Sequence, residues 1–174
     1  MTIQEISIRV ATAADALNIA EFSRKTFYDT FAPDNTVEDM ELFMKEQFSK
    51  ELLISEVGIP SNMFLLAYLG HVLAGYVKLR EGKTPKELKG QNALEIARLY
   101  AAKEMIGKGI GKLLMQHSIQ IAKGQKKDVI WLAVWTENDR AIKFYTQWGF
   151  EKFSQQLFLL GRDLQKDWLF KKAV

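Results

Sequence analysis

The sequence predicts an α/β (α+β) domain built around a mixed sheet. Strand patterns dominate after residue 60, and one helical pattern is inserted between two of those strands. The chain has 174 residues, enough for one domain, residues 1–174, with a core of its own. No internal repeat or low-complexity linker divides it.

The elements follow in order. Residues Ile3–Val10 alternate apolar and polar, with Ile6, Ile8 and Val10 on one face, which is a strand. Thr12 with Asp15 resembles a capping box, and Ala16, Ala20, Ser23 and Phe27 then recur at helical spacing. "APDN" breaks that helix. Thr36 with Asp39 starts another, with Val37, Met40, Phe43, Met44 and Phe48 facing inward. A short helix over Lys50–Val57 ends near Gly58 and Pro60. "NMFLLAYLGHVLAGYVKLR" reads as a hairpin turning at Leu69–His71. "EGKTPKELKGQ" is a polar loop, and "ALEIARLYA" a strand. In the next helix Ile110, Leu113, Leu114, His117, Ile121 and Ala122 share a face, and Gly124 ends it. "VIWLAVW" is apolar on both faces, as a buried parallel strand should be. Asn138 opens a helix bearing Ala141, Phe144, Tyr145 and Trp148, closed at Gly149. Phe150–Leu160 and Lys166–Lys172 read as two final strands.

Composition removes several classes. There is no cysteine, so disulfides and thiolate metal sites are excluded. The two histidines, His71 and His117, lie in no ligand-spaced motif, and no metal is expected. The N-terminus has neither a basic region nor a long apolar run, so no signal peptide is expected there. Met63–Leu69 and Val129–Trp135 are the longest apolar runs, far short of the about 20 residues a membrane helix needs. A cytoplasmic location is the default. The net charge of +3 permits a nucleic-acid partner, but the lysines are scattered and no basic, aromatic-studded stripe appears. Neither a nucleic-acid nor a membrane partner is expected.

"EMIGKGIGKLLMQ", residues 104–116, is the most informative stretch. Gly107, Gly109 and Gly111 alternate with Lys108, Ile110 and Lys112 at the entry to a helix. Glycine permits close backbone approach, and a helix N-terminus offers unpaired amides and partial positive charge. Together they suit a phosphate group. A Walker loop fails because Leu113 follows Gly111-Lys112 and Ile106 stands where the first glycine should be; the dinucleotide fingerprint fails at Lys112. From these residues alone, a phosphate cradle and a plain glycine-rich turn both remain open. The Phe144-Tyr145 pair, taken alone, reads as core packing.

Taken together, the segments "GKGIGKLL" and "NDRAIKFYTQWGF", with a strand between them, resemble the GNAT superfamily of acetyl-CoA-dependent N-acetyltransferases. Asn138, Ala141, Phe144, Tyr145, Gly149 and Phe150 match the family's N-x-x-A-x-x-F-Y-x-x-x-G-F helix in full. "FYDTF", "LEIARLY" and the late "FLLGRD" are similar to PaiA-type bacterial polyamine N-acetyltransferases in particular. The chain departs from the pattern at Ile106, where the family's loop carries Arg or Gln, so a side-chain contribution to the loop is lost there. The resemblance implies a twisted, mostly antiparallel mixed sheet of about seven strands flanked by helices, splayed between the fourth and fifth strands.

The resemblance also implies roles. Acetyl-CoA would be the cosubstrate, held by Ile106, Gly107, Lys108, Gly109, Ile110, Gly111 and Lys112 at its diphosphate. Leu99, Tyr100 and Ala101 would lie along its pantetheine arm, with a backbone amide there facing the carbonyl oxygen as it gains charge. Asn138, Ala141 and Phe144 would complete the contacts. Tyr145 takes the family's general-acid position, protonating the leaving thiolate. An alkylammonium of pKa about 10.4 must lose a proton before it attacks. Glu95 is a candidate base, directly or through water; a plain strand residue or an ion-pair partner is the other reading of that position.

On the acceptor side, Asp29, Asp34, Glu38, Asp39, Glu41 and Glu46 face one base, Lys45, in an otherwise basic chain. An acidic rim would steer a polyamine, and a solvated helix face explains the same residues. Glu38, Asp39 and Glu41 cannot all face one groove. Tyr28, Asp29 and Phe31, at the end of the first helix, and Trp135, as a cation–π wall, are the expected acceptor contacts. The expected function is N-acetylation of a small primary amine, a polyamine above all. The alternatives are a protein or peptide N-acetyltransferase and an acyl-CoA-binding regulatory module without turnover. The oligomeric state is open between a monomer and a homodimer.

Overall fold

A computed structural model of the chain describes residues 5–174. Its seven strands form one sheet in the order β1-β2-β3-β4-β5-β7-β6. They are β1 (Ile6–Val10), β2 (Asn62–Leu69), β3 (Val72–Arg80), β4 (Ala93–Ala101), β5 (Val129–Trp135), β6 (Glu151–Leu160) and β7 (Asp163–Ala173). All neighbouring pairs are antiparallel except β4 and β5. A parallel pair needs a crossover rather than a tight turn, and α4 (Ile110–Gly124) supplies it. Helices α1 (Ala16–Phe31), α2 (Val37–Glu46) and α3 (Lys50–Glu56) precede β2, and α5 (Asp139–Gln147) lies between β5 and β6.

The sheet separates two apolar layers. On one face Leu94, Ile96, Ile130 and Leu132 pack against Leu114, Met115 and Ile119 of α4, all buried. On the other, Ala20 and Phe27 of α1 pack with Met40, Phe43 and Phe48. Phe27 stacks on Phe43 with ring centroids 4.7 Å apart. A fully buried side chain of this size contributes about 2 kcal/mol.

Local chemistry fixes the joints. The Asp15 carboxylate accepts the Thr12 backbone N–H at 2.8 Å, at a short 3-10 turn that leads into α1. Thr36 caps α2 by accepting the Asp39 N–H. The Asp39 side chain in turn accepts the N–H of Arg162 at 2.7 Å and ties α2 to the β6–β7 turn. Gly161 in that turn has φ +63°, and a Cβ there would lie 2.5 Å from the Asp39 Cα.

Four sequence expectations shift. Val37 is exposed and outside the core. The buried face of α4 is Ile110, Leu114, Met115, Ser118, Ile119 and Ala122, with Leu113, His117 and Ile121 at its margin. The loop at 81–91 contains a 3-10 turn that buries Leu88 completely among Ala93, Trp131 and Leu169. β5 is parallel to β4 over three residue pairs and antiparallel to β7 along its whole length. In the first strand, Ile3 lies outside the described residues.

Candidate active site

The site begins where β4 leaves β5. Their pairing covers only Ala93–Glu95 against Val129–Trp131, although β4 continues to Ala101 and β5 to Trp135. The cause is local. Leu79 of β3 faces Ile96 while Lys78 faces Arg98, so Ala97 is an extra residue in β4. Such a bulge bends its strand and breaks the ladder. It also resets the alternation: Leu94, Ile96 and Leu99 face α4, while Tyr100 packs on the opposite layer. Beyond Glu95 the β5-facing edge of β4 is free to pair with an extended ligand.

A cleft of about 400 Å³ fills the splay. Leu99, Tyr100 and Ala101 form one wall, Ala133 and Trp135 the other, and the glycine loop with Asn138, Ala141, Phe144 and Tyr145 one end. The loop has the geometry of an anion cradle. Gly107 and Gly109 take φ +84° and +86°, and a Cβ at either would meet no protein atom within 4 Å. The backbone amides of Gly107, Gly109, Ile110, Gly111 and Lys112 make no turn or cap hydrogen bond, whereas Lys108 donates to Met105 and Leu113 to Gly109. Free amides at a helix start suit a diphosphate. Ile110 offers only its backbone, since its side chain is buried in the core. Lys112 is among the residues that line the cleft, whereas the Lys108 ammonium turns back to the Met105 sulfur at 3.7 Å. Ile106 is 42% exposed at the rim and supplies no hydrogen bond from its side chain.

Helix α5 sets the far wall. Asn138 caps it, its Oδ1 accepting the Ala141 N–H at 3.2 Å. Phe144 lies over Gly111, 3.7 Å from the position a Cβ there would take. Tyr145 is buried between Phe144 and Phe150 and lines the cleft. Burial pushes its phenol up to about 12, so it carries its proton across the working pH range.

Glu95 is placed otherwise than a base requires. Its carboxylate is buried and doubly hydrogen-bonded by Arg80, Nε to Oε2 at 2.7 Å and Nη2 to Oε1 at 2.9 Å, and it is not part of the cleft lining. Arg98 is engaged in the same way. It meets Glu56 at 2.7 and 2.8 Å and lies over the Phe48 ring. Burial drives the Lys78 ammonium down to about 8, aided by Arg98 and opposed by Glu56, 3.2 Å away.

A second depression of about 380 Å³ continues from the cleft past Thr30, Phe31, Ile106 and Trp135. Phe31 meets Trp135 edge-on at 6.0 Å. Its charged lining is Asp29, Asp34, Glu137 and Asp139 against Lys103 and Arg140. Asp29, Phe31 and Trp135 are therefore brought together. Tyr28 is not: it is 45% exposed and lines a separate shallow depression with Glu41 and Lys50, because it follows Phe27 on the outer face of α1. Asp39 serves the fold. Glu137 and Asp139 were missed in the sequence, although they flank the Asn138 cap in "TENDR".

A splayed parallel pair, a free-amide glycine loop heading the crossover helix and a protonated phenol across the cleft are the architecture of an acetyl-CoA-dependent N-acetyltransferase. The chain belongs to the acetyltransferase (GNAT) family, whose sequence model matches residues 24–150. It is 35% identical to an uncharacterized N-acetyltransferase of Lactobacillus delbrueckii subsp. lactis, over 97% of this chain and 98% of that one. It is 31% identical to a spermidine N(1)-acetyltransferase of Thermoplasma acidophilum, over 84% and 88% of the two chains. The crystal structure of the PaiA N-acetyltransferase of Thermoplasma acidophilum in complex with coenzyme A superposes with a TM-score of 0.79 at 26% identity, covering 98% of this chain and 99% of that one. No helix among the described residues is long and apolar enough to cross a membrane.

Proposed function

We propose that the chain transfers the acetyl group of acetyl-CoA to a primary amine of a small polycationic acceptor of the spermidine class. The observation that carries this reading is the acidic mouth. Four carboxylates and two cations line a depression that runs directly into the cleft between β4 and β5. Asp29 is paired with Lys25 at 2.8 Å; the excess negative charge that remains draws in a polycation, and the Phe31 and Trp135 rings give its methylene segments and ammonium groups a wall. The 31% identity to a spermidine N(1)-acetyltransferase supports the same acceptor class.

The cosubstrate supplies an activated acyl group on a good leaving thiolate. The amides of Gly107–Lys112 and the Lys112 ammonium hold its diphosphate. The free edge of β4 at Leu99–Ala101 pairs with its extended arm and presents an amide to the oxygen that gains charge. Tyr145 donates its proton to the departing sulfur. Burial raises the phenol's affinity for that proton, and the same dry cleft raises the thiolate's, so transfer remains feasible. With Glu95 held by Arg80, the acceptor's proton leaves through water in the acidic mouth.

The test is thiol release from acetyl-CoA with spermidine, spermine, putrescine, an aminoglycoside, an α-amino acid and a lysine peptide. Spermidine and spermine should give the highest kcat/KM. Preference for the peptide would favour a protein acetyltransferase, and binding of acetyl-CoA without transfer to any amine would favour a regulatory module.

A further inference from the structure

The β4–β5 ladder ends at the Glu95–Trp131 pair, and the cleft opens beyond it. The cleft is therefore a wedge, closed at the ladder. Paired strands lie about 4.8 Å apart. A methylene chain between two backbones needs carbon contacts of about 4 Å on each side. No acyl chain therefore passes between the strands below Glu95 and Trp131.

The order of residues along β4 shows which part of the cosubstrate reaches that floor. The diphosphate cradle, Gly107–Lys112, follows the end of β4 at the open end of the wedge. From there the free edge runs from Ala101 back through Leu99 toward Glu95. An arm laid along this edge carries its thioester deepest, so the acyl group is what meets the floor.

Two side chains shape the floor on its α4 side. Ile96 is the first residue of β4 past the ladder, and Val134 stands on the facing strand. Both line the cleft, and both belong to the core packed on α4, at 3% and 5% exposure. Leu99 and Tyr145 continue the same wall. Ile110 and Leu114 of α4 are buried in the same core, and a close-packed core leaves no slack for a longer chain. Ala133 and Trp135 alternate with Val134 to the other face, where Trp135 meets Phe31 at the mouth. A longer acyl chain has that one direction left, and there it occupies the path of the incoming amine.

We propose that Ile96 and Val134 set the acyl length that the chain transfers. With the end of the ladder they leave room for an acetyl group and turn longer chains into the acceptor's path. This assignment rests on the acetyl-CoA reading above and names the residues that hold it to the acetyl group.

The test compares acetyl-, propionyl- and butyryl-CoA on wild type and Val134→Ala. Affinity is measured by calorimetry without acceptor, and kcat/KM with spermidine. Wild type is expected to lose at least about tenfold in kcat/KM from acetyl- to propionyl-CoA and more at butyryl-CoA. Val134→Ala is expected to raise butyryl-CoA relative to acetyl-CoA by about fivefold or more in affinity and about tenfold in kcat/KM, because its vacated space receives the added methylenes. Wild type that uses all three within about threefold, or a variant whose ratios match those of wild type, would overturn the proposal. If Val134→Ala melts too low to assay, Ile96→Val is judged instead on propionyl-CoA, with about threefold as the threshold. If wild type acetylates no amine, the acetyltransferase reading falls, and the calorimetric ratios alone decide the floor. If it acetylates spermidine and shows no acyl-length preference, only the assignment of Ile96 and Val134 falls.

Discussion

Arg80 grips Glu95 through two hydrogen bonds across the β3–β4 pair, and that grip separates the fold's carboxylate from the reaction's. The expected consequence is that Glu95→Gln lowers stability by about 2 kcal/mol, less than a fully buried pair because Arg80 is partly exposed. Turnover per folded molecule should stay within about tenfold of wild type. A general base would instead show a loss of about 100-fold or more. Urea unfolding and steady-state kinetics on the same preparation decide between the two.

Tyr145→Phe keeps the ring that packs on Phe144 and Phe150 and removes only the proton donor. Turnover should fall about 100-fold, with acetyl-CoA affinity within twofold by calorimetry. Because the phenol is held up near 12 by burial, it stays protonated through the assay range, and any basic limb of the pH profile below about pH 11 should survive in this variant.

Gly109 takes φ +86°, a conformation that β-branched residues resist, and no protein atom crowds the place of its Cβ. Gly109→Val should therefore cost about 1–3 kcal/mol of stability through backbone strain alone. Its larger effect should be on acetyl-CoA, whose affinity should drop at least tenfold as the loop leaves its cradle geometry. Calorimetry against thermal unfolding separates the two effects.

Lys78 is 2% exposed, and burial holds its ammonium near 8, below the usual lysine value of about 10.4. The folded state therefore releases this proton before the unfolded chain does. Below pH 8 both forms are charged and the full burial penalty is present. Between about pH 8 and 10.4 the unfolded state binds the extra proton, so Lys78's contribution to stability rises with pH, by up to about 3 kcal/mol in total. Lys78→Met should lose that rise in urea unfolding measured at pH 7.5 and 10.

Much of this architecture was legible in the chain. The alternation in "ALEIARLYA", the glycines at 107, 109 and 111, and the Asn138 helix together placed the cleft walls and the glycine loop at its end. What stayed hidden was non-local. Nothing near Glu95 in sequence announces Arg80, fifteen residues earlier on the neighbouring strand. Leu88 hides in a polar loop because its burial depends on Trp131 and Leu169. Tyr28 and Asp29 are adjacent and both line the shallow depression beside Glu41 and Lys50, yet only Asp29 also reaches the mouth, since consecutive residues on a helix point about 100° apart.

The central claim is that the amides from Gly107 to Lys112 hold the diphosphate of the cosubstrate and so fix the thioester in the splay. A crystal structure of the chain with coenzyme A tests it most directly. Diphosphate oxygens within about 3 Å of at least two of those amides, with the sulfur on the Tyr145 side of the cleft, is the expected result. A diphosphate bound anywhere else on the chain would contradict it.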